Sequence, residues 1–109
     1  MAQDDMHVVM YRILAYLYAC MKDGVVPDKG MYNPEAMGIN ETYWNSIMAE
    51  LSRRKLVQGV DAKALADKDY VTLGNARVTM EGVEFLMENS MMAKAKDFLM
   101  GIKAAVPFV

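Results

Sequence analysis

The stretch 5–22 restricts the fold more than any other part of the chain. Met6, Val9, Met10, Ile13, Leu14, Leu17 and Met21 recur at helical spacing, with Lys22 in the last turn and Gly24 as a stop signal. Asp4 or Asp5 is placed to cap the first turn, because a carboxylate accepts from the free amides there. Tyr11, Ala15 and Tyr18 run down another side, so the helix is apolar over most of its circumference. Such a helix has to be sandwiched between neighbours or contribute to an interface. A chain of 109 residues that is 54% hydrophobic supplies the neighbours: it can bury a real core, and disorder over most of its length is excluded. We read residues 1–109 as one domain.

Gly24, Pro27 and Gly30 mark 23–33 as a loop, with a short extended piece expected at Val25–Val26. Pro34 to Met37 fits a short helix capped by Asn33 and ended by Gly38. Ile39 is expected in the core, and Asn40 caps a helix over 41–55. Tyr43, Trp44, Ile47, Met48 and Leu51 form its apolar stripe, while Glu41, Thr42, Asn45, Ala49, Glu50, Ser52 and Arg53 lie opposite. Residues 56–60 are strand-like, 61–69 read as a polar connection, 70–73 alternate, and Gly74-Asn75 is a turn signal before Ala76–Val78. This predicts a small antiparallel sheet of two or three strands. Thr79 caps a helix over 80–88 with Val83, Phe85, Leu86 and Met87 on its apolar side. A last helix is expected over about 91–105, with Met91, Ala95, Phe98, Leu99 and Ile102 sharing a face that packs on the first helix. Helix, short helix, helix, hairpin and further helices make a mostly helical α+β chain of winged-helix type with an added C-terminal helix. In that arrangement the third helix is the potential recognition element.

Residues 38–41, 79–86, 88–92 and 101–103, together with Pro107, carry a resemblance. Here the chain resembles the YjcQ-like proteins, small winged-helix proteins of Gram-positive bacteria and their phages. The resemblance spans most of the chain from the first helix onward, and it is most specific in 79–107 and weakest in 23–33 and 61–73. It implies a winged-helix fold and a phage or prophage setting, and it transfers no catalytic or binding residue.

Twelve Lys and Arg against fourteen Asp and Glu give a formal charge of −2, so bulk charge does not indicate a nucleic-acid binder. Cys20 is the only cysteine and His7 the only histidine, which excludes an intrachain disulfide and a tetrahedral N/S zinc site within one chain. One free thiol in a small unstapled domain fits a reducing, cytoplasmic setting. Both residues read as structural. Asp67-Lys68-Asp69 lacks the rest of a calcium loop, no glycine-rich phosphate loop is present, and neither a secretory signal nor a membrane span is expected. The expectation is a protein that is not an enzyme and needs no cofactor or metal.

Two surfaces remain. For DNA, the third helix offers Thr42, Asn45, Arg53, Arg54 and Lys55, and Asn45 has the amide that pairs with adenine. Glu41 and Glu50 share that helix, however, and a wing at 61–69 holds Asp61, Asp67 and Asp69 against Lys63 and Lys68. Phosphates would meet acid at both contacts, which disfavours DNA. For protein, Tyr11 and Tyr18 form a second apolar side of the first helix, and adjacent Met91 and Met92 cannot both point inward. Most of the twelve methionines, among them Met6, Met10, Met48 and Met87, fall on stripes expected to be buried. The leading expectation is a protein-interaction module whose partner is another protein or a second copy of the chain. The alternative is a DNA-binding transcriptional regulator using helix 41–55 and the 61–69 wing.

Overall fold

The computed structural model describes residues 5–65 and 68–88. The expected helix at 91–105, with Met91, Met92 and its packing on the first helix, lies outside the described residues. Helix α1 spans Met6–Asp23, and its buried residues include Val8–Tyr11, Ile13, Leu14, Ala15, Leu17 and Cys20. The two-sided apolarity read from the sequence is thereby explained, since α1 packs against the third helix, the sheet and the last described helix. Gly24 closes it in the left-handed region (φ 69°) and donates its N–H to the carbonyls of Cys20 and Met21. One expectation is corrected at the start. Asp5 occupies the cap position, but its side chain makes no capping bond. Met6, expected on the buried stripe, is exposed in the first turn.

Val25–Val26 forms no strand, and both side chains are exposed. The loop instead contains a 3-10 turn at Lys29–Met31, capped by the Asp28 carboxylate accepting from Gly30 N–H (2.9 Å). Helix α2, Pro34–Met37, and helix α3, Glu41–Arg53, start as expected: Asn33 accepts from Ala36 N–H and Asn40 from Tyr43 N–H, each at 2.8 Å. Trp44, Ile47, Met48 and Leu51 point into the core, and the Trp44 indole donates to the Tyr32 carbonyl (2.7 Å). Two details of α3 differ from expectation. Ala49, expected on the outer face, is wholly buried. The helix also stops at Arg53 rather than 55, because Lys55 turns into the left-handed region (φ 61°) and Leu56 N–H bonds back to the Leu51 carbonyl.

Strands β1 (Val57–Leu65) and β2 (Lys68–Val78) form one antiparallel hairpin. This corrects the sequence reading twice. Residues 61–65 and 68–69, expected in a polar connection, are instead parts of the two arms of the hairpin's outer end. Gly74-Asn75 is not a turn but part of a bulge, where the pairing jumps from Gln58↔Arg77 to Val60↔Leu73. Gly59, opposite the bulge, sits at φ 80°, and a Cβ there would run into the Asn75 carbonyl.

Helix α4, Met80–Glu88, follows at once. The Thr79 hydroxyl accepts from Gly82 N–H (3.1 Å), as expected of a cap, and also donates to the Lys55 carbonyl (2.6 Å). Of its expected apolar side, Leu86 is buried and Val83 and Phe85 are half-buried, but Met87 is exposed. The order α1, 3-10 turn, α2, α3, hairpin, α4 is an α+β, winged-helix-like arrangement, with α2 and α3 in the positions of a helix-turn-helix and the hairpin in that of a wing.

Candidate functional site

The residues singled out for contact on α3 do not form one open face. Thr42 is exposed and Asn45 half-buried near the N-terminal end of the helix. Ala49, on the same side one turn further along, is wholly buried. Beyond it, the Ser52 hydroxyl donates to the Val60 carbonyl of β1 (3.1 Å), and Arg53 donates to Asp69 of β2 (2.7 Å). The hairpin therefore lies against the C-terminal half of that side, and only the Thr42–Asn45 end stays open.

The basic cluster is also largely neutralised within the chain. Arg53 pairs with Asp69, and Arg54 pairs with Glu50 one turn earlier on α3 (2.7 Å). Lys55 is exposed, but its backbone belongs to the helix exit, where its carbonyl accepts from Thr79. The wing that was to meet phosphates is longer than 61–69, and one of its carboxylates holds one of the arginines meant for DNA. The tyrosines named for an interface separate as well. Tyr11 is buried in the core, while Tyr18 is half-buried with the Lys22 ammonium 4.8 Å above its ring.

A second surface was not singled out from the sequence. A cleft of about 500 Å³ opens between the C-terminal half of α1, the 24–32 loop and residues 74–77 of β2. Leu17, Cys20 and Met21 line it from α1, Val25, Val26 and Pro27 from the loop. Lys29 and Arg77 are the only charged residues on its wall among the described residues. A second cleft of about 480 Å³ shares Met21 and Arg77 with the first and continues toward Met80 and Val83 of α4. The signal available in the sequence was Val25-Val26, an apolar pair inside a loop otherwise rich in Gly, Pro and charge.

Behind the first cleft, the Asp28 N–H donates to the Tyr16 hydroxyl (2.9 Å), and the Tyr16 and Tyr32 rings are tilted together at 6.0 Å. Burial raises the pKa of both phenols and lowers that of the Arg12 guanidinium. The shifts of the two phenols carry them further from neutrality. His7, at the other end of α1, stacks on Phe85 of α4 with ring centroids 6.4 Å apart. Among the described residues no group of three or more His, Cys, Asp or Glu is placed to hold a metal ion. No described helix is long and apolar enough to cross a membrane.

Comparison with curated proteins and with solved structures finds no match to this chain. The model of one family, described as YjcQ protein, matches residues 11–105, a span that takes in every structural element from the first turns of α1 to α4 and beyond. The chain belongs to the YjcQ family.

Proposed function

We propose that this protein is a non-enzymatic protein-interaction module of a phage or prophage system, working in the cytoplasm. The observation that carries the reading is the state of the α3 arginines. Arg53 and Arg54 are each held by a carboxylate of the same chain, and the hairpin lies against the side of α3 between Asn45 and Arg53. A duplex binder gains most of its affinity from free Lys and Arg on phosphates, so releasing two arginines from their own acids is a direct loss to it. Exposed apolar side chains gather elsewhere: Met21, Val25 and Val26 at the end of α1, and Met80 at the start of α4. The resemblance to phage-associated proteins supports the setting, and the single free thiol fits a reducing compartment.

A duplex-binding regulator is the second reading, favoured by one observation: Thr42 and Asn45 remain at the open end of α3. One pair of experiments separates the two. Tagged protein is used to capture partners from lysate with and without nuclease, and is titrated against genomic fragments at about 150 mM salt. The interaction reading expects captured protein to survive nuclease, and duplex binding no tighter than about micromolar. Nanomolar, sequence-selective binding that is lost in Asn45→Ala replaces it with the regulator.

A further inference from the structure

We propose that the cleft between the 24–32 loop and β2 takes an extended, carboxylate-bearing peptide segment, which adds as a further strand to the edge of β2 that no described residue pairs. This rests on the protein-interaction reading and names the site and the chemistry of the partner. Four consecutive residues, Gly74 to Arg77, line one wall of the cleft, and they span the bulge opposite Gly59, so the wall is a stretch of β2 in which 74–76 have no register partner on β1. β1 occupies one edge of β2, and among the described residues no backbone hydrogen bond joins the loop residues 24–29 to 74–77. An unpaired strand edge presents a row of N–H and C=O groups that a second extended chain satisfies. The opposite wall supplies no ladder of its own. Val25 and Val26 are 56% and 83% exposed, and Pro27 has no N–H to give.

The size and charge of the cleft select the occupant. A volume of about 500 Å³ accommodates a few residues of extended chain, and its continuation past Met21 and Arg77 adds a mostly apolar stretch. Among the described residues Lys29 and Arg77 carry the only charges on the wall of the first cleft, and neither forms an ion pair there. This is the reverse of α3, where both arginines are already paired. Two free cations above an apolar floor are complementary to carboxylates flanking apolar side chains. Glu81, on the wall of the second cleft, gives the site a polarity. The carboxylates of the partner belong at the Lys29–Arg77 end, and its apolar residues toward α4.

The test uses the full chain labelled with 15N and three acetylated, amidated octapeptides. The first alternates glutamate with valine, the second alternates lysine with valine, and the third is the first with its backbone nitrogens methylated at alternate positions. The expected result is that the glutamate peptide shifts the amides of 24–29 and 74–77 and slows their hydrogen exchange. The lysine and methylated peptides bind at least about tenfold more weakly. Lys29→Glu and Arg77→Glu, both at exposed positions, reverse the charge preference while the rest of the spectrum is unchanged. No shift at 74–77 by about millimolar glutamate peptide overturns the proposal. So does binding that is indifferent to methylation or to charge reversal, or binding that maps to α3. If nuclease-resistant capture of protein persists in Arg77→Glu while the peptide result is negative, the module reading stands and the site is elsewhere. Loss of all nuclease-resistant capture by the unaltered chain removes the module reading itself.

Discussion

Val57, Val60, Ala76 and Val78, at the inner end of the hairpin, are buried, whereas Leu65 and Tyr70, near its outer end, are more than half exposed. Both ends belong to the same two strands, yet different forces hold them. The inner end is held by tertiary structure. Its valines enter the core, Ser52 bonds Val60, and Thr79 ties the exit of β2 to the exit of α3. The outer end is held by its own ladder, by cross-strand neighbours such as Lys63↔Tyr70 and Asp61↔Thr72, and by one ion pair to α3. Membership of one hairpin is therefore no guide to how much each part of a strand contributes to stability.

The largest break in this comparison is expected from a single methyl group. Gly59→Ala forces a Cβ into the left-handed region and toward the Asn75 carbonyl, and Gly82→Ala drives one toward the Leu56 carbonyl and Val78. Strain and overpacking together should cost about 2–5 kcal/mol at Gly59 and about 2 kcal/mol at Gly82. Ala64→Val, a larger addition at the exposed end, should stay within about 0.5 kcal/mol. Urea unfolding of the three variants measures the contrast, and equal losses would erase the distinction between the two ends.

Thr79→Val comes next. It keeps the shape but removes both the donor to Lys55 and the acceptor for Gly82 N–H. A loss of about 1–2 kcal/mol is expected, with faster hydrogen exchange at the start of α4. A double-mutant cycle on Arg53 and Asp69 tests the one clamp on the outer end. With the arginine side chain half exposed, the coupling should be about 0–1 kcal/mol and should fade in high salt. A coupling above about 2 kcal/mol would mean that α3 governs the outer end as well as the inner one.

The smallest effect is a pH dependence set behind the inner end. Burial raises the pKa of Tyr16 and Tyr32, so the unfolded chain, with phenols near about 10, gives up its protons first. The contribution of these tyrosines is intact below that value and is lost as pH rises through the folded-state pKa. Unfolding curves between about pH 9 and 11 should show a shallower alkaline decline for Tyr32→Phe than for the unaltered chain.

The same contrast explains what the sequence disclosed. The caps at Asn33, Asn40, Gly24, Gly38 and Thr79 are local chemistry between near neighbours, and each was legible. The inner strand residues were legible because the core imposes a pattern on them. On the outer arms 70–73 was legible by its alternation, which the burial of β2 repeats, but 61–65 and 68–69 were not, because no described face of those residues is fully buried and their polar composition reads as a connection. Gly74-Asn75 has the composition of a turn, and its role as a bulge depends on Gly59 across the ladder. The candidate surfaces follow the same rule. Thr42, Asn45 and the basic run were visible by spacing, but the pairing of Arg53 with a residue sixteen positions away was not. The cleft beside β2 is assembled from three separate segments and had no linear signature beyond two exposed valines.

The bonds that Thr79 makes at the exit of α3 also bear on how the molecule tolerates insertion. Its N–H reaches the Leu56 carbonyl (3.0 Å) and its hydroxyl reaches the carbonyl of Lys55 (2.6 Å), so the chain leaves the body and returns through one small gate. Whatever is strung between the two sides of that gate is a closed excursion, and the entropy of such a loop grows only with the logarithm of its length. Doubling it costs about 0.6 kcal/mol. Residues added or removed in matched pairs beyond Leu65 and Lys68 keep every inner side chain on its proper face, because the strand repeat is two. The hairpin can thus be lengthened beyond Leu65 and Lys68 while α1, α3 and α4 remain unaware of the change. The reach of the hairpin is set by its outer end alone, while the closing of the excursion rests on one threonine and the two carbonyls it holds.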